Sequence, residues 1–232
     1  MPNTVDFLNK YRELETAAIA KYNFERDGRA ITNIMNMRQF AAYKADLSYC
    51  KEIRNLLTHN PKIGDEYAVE PSKSAFDLLD KLISIINNPP LCSTIAIHTR
   101  SLYYKSLDDY VLPTLLDMDK RNFSHVPILK GKKLLGVFSD NCIFSALLST
   151  RKVSVDSNTK FLDFIDFLPI DKHLSEEFKF AKYSSMICEI EDLFEASNKS
   201  RHRLGMVFLT KNGTPNEDIL GAITPWNIIG QY

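Results

Sequence analysis

Two kinds of hydrophobic pattern divide the chain. Up to about residue 88, apolar positions recur at helical spacing; beyond it they gather into short runs bounded by turns. In the first region Phe7, Tyr11, Leu14 and Ala18 form the stripe of an amphipathic helix, with Thr4 placed to cap it. The break at Glu25–Arg29 precedes a second helix expected over Ala30–Met37. A third is expected over Phe40–Thr58, stopped by the turn at Asn60-Pro61. A fourth, over Ser72–Ile86, carries Phe76, Leu79, Leu82, Ile83 and Ile86 on one side and ends at Asn87–Pro90. This predicts a small all-α four-helix domain over residues 1–88, with a linker from Asn87 to Ser93.

The second region repeats itself. "HVPILKGKKLLGVFSDNCIFSALL", residues 125–148, is an apolar strand, a short loop, a second strand containing Gly, and a helix opened by Ser. "LGMVFLTKNGTPNEDILGAITPWNIIG", residues 204–230, repeats that order. Gly136 and Ser139 recur at the same mutual spacing as Gly221 and Thr224, and Val126–Leu129 recurs as Met206–Leu209. The second hairpin loop is the longer, an insertion of the kind surface loops tolerate. A repeated β-β-α unit behind a helical domain makes the fold class α+β and suggests a tandem ligand-binding module.

Composition narrows the partners. Among 232 residues, 29 basic and 29 acidic side chains balance, so no net field draws the chain to nucleic acid or anionic membrane, and any RNA contact must be local. Cys50, Cys92, Cys142 and Cys188 are scattered without a CxxC pair or a nearby His cluster, which reads as buried free thiols and gives no metal site. The opening residues are charged and amphipathic, unlike a signal peptide, and no apolar run reaches the ~18 residues of a membrane span. The expectation is a cytoplasmic protein.

Two groups of residues are candidates for chemistry. In "RNLLTH", Asn55 and His59 share a helix face at i and i+4, while Arg54 lies five residues before His59 and reaches it only through its flexible stem. A neutral imidazole can take the proton of a ribose 2′-OH, and a guanidinium can stabilise phosphorane charge without metal. The same residues also suit a plain helix end, where a terminal His complements the dipole. In the repeats, Thr224 is placed as a helix cap ahead of Pro225, leaving backbone N–H groups open to phosphate; Asp140 would oppose phosphate beside Ser139. His98, His125, His173 and His202 read as structural or solvent-exposed. "KSRHR", Lys199–Arg203, reads either as a helix-end cluster or as a phosphate contact.

Residues from about Ser93 to Gln231 resemble a tandem CBS pair, through "FSHVPILKGKKLLGVFSDN" and "GAITPWNII". The resemblance implies a first copy at about 93–150 and a second at about 151–232, with AMP, ADP or ATP bound between them. It also implies that Ser139 and Thr224 contact phosphate. The Asp that grips ribose in that family is Cys142 in the first copy and Asn227 in the second, so the second site, Thr224 with Asn227, is the better formed. The first 88 residues resemble a HEPN domain through "RNLLTHN". That implies a homodimer with Arg54, Asn55 and His59 composing a metal-independent ribonuclease site, or a non-catalytic domain that only dimerises or docks a partner. The combined expectation is an adenine-nucleotide sensor controlling a helical effector, with RNA as substrate if the effector is an enzyme.

Overall fold

The computed structural model describes residues 3–59, 62, 64, 67, 69–198 and 201–229, so the Asn60-Pro61 turn and Lys199–Ser200 lie outside the described residues. The chain forms two compact units, Met1–Pro90 and Leu91–Tyr232.

In the first unit, α1 (Thr4–Tyr22) is capped by Asn3 rather than Thr4. Asn3 Oδ1 accepts from the N–H groups of Val5 and Asp6, and Asp6 accepts from the Asn3 N–H in return. Thr4 begins the helix and is buried in it. The second helix, α2, spans Ala30–Met35. The expected third helix divides: a 3₁₀ turn over Arg38–Tyr43 drives Phe40 into the core, and α3 starts only at Lys44 and runs to His59. Next comes α4, Lys73–Asn87. Phe7, Leu14, Ile34, Leu47, Leu79 and Leu82 are fully buried where these helices meet.

The second unit is built from a longer repeat than the sequence displays. Its first half holds α5 (Val111–Arg121), β2 (His125–Lys130), β3 (Lys133–Ser139) and α6 (Asp140–Thr150). The second holds β4 (Glu176–Lys182), α7 (Ile187–Asn198), β5 (Arg203–Thr210), β6 (Gly221–Ile223) and α8 (Pro225–Ile229). In each half the hairpin is antiparallel: β2 with β3, β5 with β6. Each also gains a parallel neighbour ahead of the first helix, β4 beside β5 in the second half and a single bridge from Lys105 to Ile128 in the first. The halves interlock. The short strand β1 (Ile97–His98) precedes the first half yet pairs with β6 of the second, completing the order β1-β6-β5-β4. Ile219 N–H donates to the Lys132 carbonyl in the first hairpin's tip. Gly136 has backbone packed directly on it, since a Cβ there would lie 2.1 Å from the Leu168 carbonyl oxygen.

Candidate functional site

The helical candidate is only partly assembled within one chain. Arg54 lies back along α3 with its guanidinium 5.7 Å from the centre of the Tyr11 ring, and its Nη1 donates to Asn55 Oδ1 at 3.0 Å. Tyr11 is a core residue, and burial pushes its phenol well above the ordinary value. Arg54 is therefore stacked on its own fold and bonded to its neighbour. His59 is exposed at the last position of α3, and among the described residues no hydrogen bond or ion pair joins it to Arg54 or Asn55. The structure brings Arg54 and Asn55 together and leaves His59 apart.

The second unit holds a cavity of about 1020 Å³ between its halves. From the first half Tyr103, Arg121 and His125 face it, and from the second Arg203, Thr224 and Trp226. The Arg121 guanidinium packs 5.0 Å from the Tyr103 ring centre and 5.4 Å from that of Phe123, which fixes a cation on the wall. Trp226 is 77% exposed, and among the described residues no ring packs on its indole. Arg203, from the basic run before β5, supplies a second cation, and Asp119 and Asp140 supply opposing charge.

The two signatures sit differently at this cavity. Thr224 lines it, but its N–H and its hydroxyl both donate to Asn227 Oδ1 at 2.8 Å. Asn227 acts as the partner of a helix cap, and the helix it supports, α8, is only five residues long as described. Ser139 is buried, 1% exposed, and its hydroxyl donates to Glu176 Oε2 at 2.8 Å. Cys142 is also buried; its thiol is aimed at the carbonyls of Val137 and Phe167, and burial pushes its pKa up to about 11.

Glu176 was not signalled by the sequence, nor was its cluster. His125 Nε2 lies 2.9 Å from Oε1, and His173 Nδ1 lies 3.2 Å from Oε2. The other nitrogen of His173 lies 3.1 Å from the Val137 carbonyl. Both nitrogens of this buried ring therefore face oxygen atoms. Burial alone would raise the Glu176 carboxyl, but hydrogen bonds from His125 and His173, the charge of His125 and a contact from Asn141 outweigh it and hold the group far below the usual carboxylate range. No spacing rule links residues 125, 139, 173 and 176; tertiary folding alone gathers them. Among the described residues no group of His, Cys, Asp and Glu has the arrangement of a metal site, and no helix is long and apolar enough to cross a membrane.

No family model and no curated protein matches the chain. Several of the solved structures that it resembles are described as containing CBS domains. A hemolysin-like protein containing a CBS domain from Oenococcus oeni PSU is 12% identical, with 62% of this chain and 90% of that one covered at a TM-score of 0.39. Hypoxic Response Protein I, with two coordinated zinc ions, is 13% identical over 61% and 98% of the two chains at 0.41. CBSX2, in complex with AMP, is 11% identical over 61% and 95% at 0.43. At such values the reading of the site rests on its own geometry.

Proposed function

We propose that residues 93–232 form a tandem CBS pair, binding one adenine nucleotide, AMP, ADP or ATP, and that the helical region 1–88 is the HEPN-like effector it regulates. The observation that carries this is the cavity between the two halves, which Arg121 on its aromatic pair, Arg203 and the exposed Trp226 line together. Two cations suit a phosphate, and an indole suits a purine ring. Thr224 contributes from the wall and Asn227 by holding Thr224 in place. Ser139 contributes through Glu176 rather than by direct contact. Calorimetry with AMP tests the reading: micromolar to sub-millimolar binding is expected, weakened ~10-fold or more by Arg121→Ala, the worth of one charge-assisted contact. Failure of AMP, ADP and ATP alike to bind at millimolar concentration ends it.

For the effector, the adaptor role is favoured over ribonuclease action. The guanidinium of Arg54 is already engaged by Tyr11 and Asn55, which leaves less of it free to meet phosphate. The full chain is expected to form a homodimer through its helical region. It is also expected to leave single-stranded RNA intact, with His59→Ala changing nothing. Metal-independent cleavage that His59→Ala lowers by ~10²–10⁴-fold would instead establish the enzyme.

A further inference from the structure

Everything that converges on the Glu176 carboxylate is a hydrogen-bond donor. The Ser139 hydroxyl reaches it from the end of β3, the His125 Nε2–H from β2, and the His173 Nδ1–H from the turn before β4. Asn141 approaches from α6. Phe178 closes the remaining side, with its ring centre 5.5 Å from that of His125 and 4.9 Å from that of His173. Such a set suits an anion. It also stands where the first copy's signature Ser would meet a ligand.

The two copies explain why a carboxylate is there. In the second copy the Thr224 hydroxyl finds an acceptor three residues ahead, on Asn227. In the first, the corresponding position is Cys142, a poor acceptor whose sulfur is turned to backbone carbonyls. The Cys142 sulfur still accepts the Ser139 N–H at 3.5 Å, while the Ser139 hydroxyl takes a stronger acceptor, a carboxylate, from another strand.

We infer that Ser139, His125 and His173 form an anion-binding subsite whose resident ligand is the chain's own Glu176, so that the first copy is closed to external anions by a built-in carboxylate. His125 connects the subsite to the cavity, since its ring also lies on the cavity wall and its Nδ1 meets Ser124 there at 2.9 Å. Gly205 allows the fit: a Cβ at that position would lie 2.9 Å from His125 Nε2. The inference goes beyond the nucleotide reading and does not depend on what fills the cavity, so a chain that ignores AMP can still be tested.

The test is anion rescue of the full chain. Glu176→Ala removes the carboxylate and opens a void among the donors. Formate, the smallest carboxylate, and inorganic phosphate are then titrated while thermal unfolding is followed. In Glu176→Ala both are expected to raise the Tm saturably by several degrees, through binding to the native state. Wild type, already occupied, should show only the weak non-saturating salt response. Glu176→Leu, which fills the void with an apolar side chain, should respond like wild type. A second substitution, Ser139→Ala on the Glu176→Ala background, should weaken the apparent affinity ~10-fold. If alanine leaves the chain unfolded at rest, the rescue is read as recovery of native circular dichroism with added formate. Equal responses from all three chains, or no recovery with either anion, would overturn the inference.

Discussion

The two copies of the β-β-α repeat carry nearly the same short motif and have settled its polar requirements in opposite ways. In the second, Thr224 and Asn227 satisfy each other within four residues, and the pair stands on the cavity wall. In the first, the Cys142 sulfur takes the Ser139 N–H, and the Ser139 hydroxyl goes instead to Glu176, which His125 and His173 also hold. The first solution buries a charge and needs several partners to hold it; the second leaves its polar groups near water and costs little to alter. A motif therefore reports where a cap and a turn will form, while the meaning of its Ser or Thr depends on what the rest of the fold brings to it.

The widest gap between the copies is expected at their glycines. A Cβ at Gly136 would sit 2.1 Å from the Leu168 oxygen and 2.4 Å from its carbonyl carbon, both backbone. At Gly221 the nearest atoms are the Ile97 oxygen at 3.0 Å and the Ala96 Cβ at 3.4 Å. Gly136→Ala should lose more than ~3 kcal/mol of stability or fail to fold, and Gly221→Ala about 1 kcal/mol, read from urea unfolding. Similar losses at the two positions would mean that the linker after α6 is not seated on the first hairpin.

Next in size are the hydroxyls. Ser139→Ala strips one donor from a buried carboxylate and should cost about 2 kcal/mol, as charged hydrogen bonds do. Thr224→Ala removes a partly exposed cap and should cost about 1 kcal/mol or less, while weakening AMP binding. If Thr224→Ala proves the more destabilising, the assignment of the two roles is reversed.

The smallest effect is a pH dependence. The folded-state pKa of Glu176 lies below its unfolded value, so its ionisation stabilises the fold above the usual carboxylate range, and that contribution fades as the pH drops toward the folded value. The stability difference between wild type and Glu176→Gln should accordingly shrink as the pH falls from ~5 to ~3. Glu217, held to about 2 chiefly by the Asn212 N–H, titrates in both chains and cancels. A difference that stays constant over this range would argue that the carboxylate is not held as an anion.

Local chemistry was legible in the sequence and distant pairing was not. The stripe Phe7, Tyr11, Leu14 and Ala18 lies in the core of the first unit as its period requires, and Ser72 and the Asn87 region bound α4 closely. The capping of α1 was assigned one residue late because Thr4 and Asn3 are both good caps, and only the reciprocal bonds with Asp6 separate them. The paired strands β2–β3 and β5–β6 follow from apolar runs around turn residues. By contrast β1 is two residues long, and its partner lies at the far end of the chain, beyond the reach of any local pattern. His125 and His173 looked ordinary because a histidine's role is set by what faces it. Glu176 gave no signal, since acidic residues at a strand start, here Glu176 and Glu177, normally point to solvent.

The pairing of β1 with β6 also sets an order of events during synthesis. Ile97 and His98 are synthesised long before their partners Ala222 and Gly221, with most of both copies of the repeat lying between them. At about 5–20 residues per second the edge strand waits several seconds for its neighbour. Until then the second sheet lacks a border, and the first copy can form only its own two-stranded hairpin. A nascent chain stalled before Gly221 would thus leave β1 and one edge of β5 unpaired, and open strand edges of that kind invite aggregation.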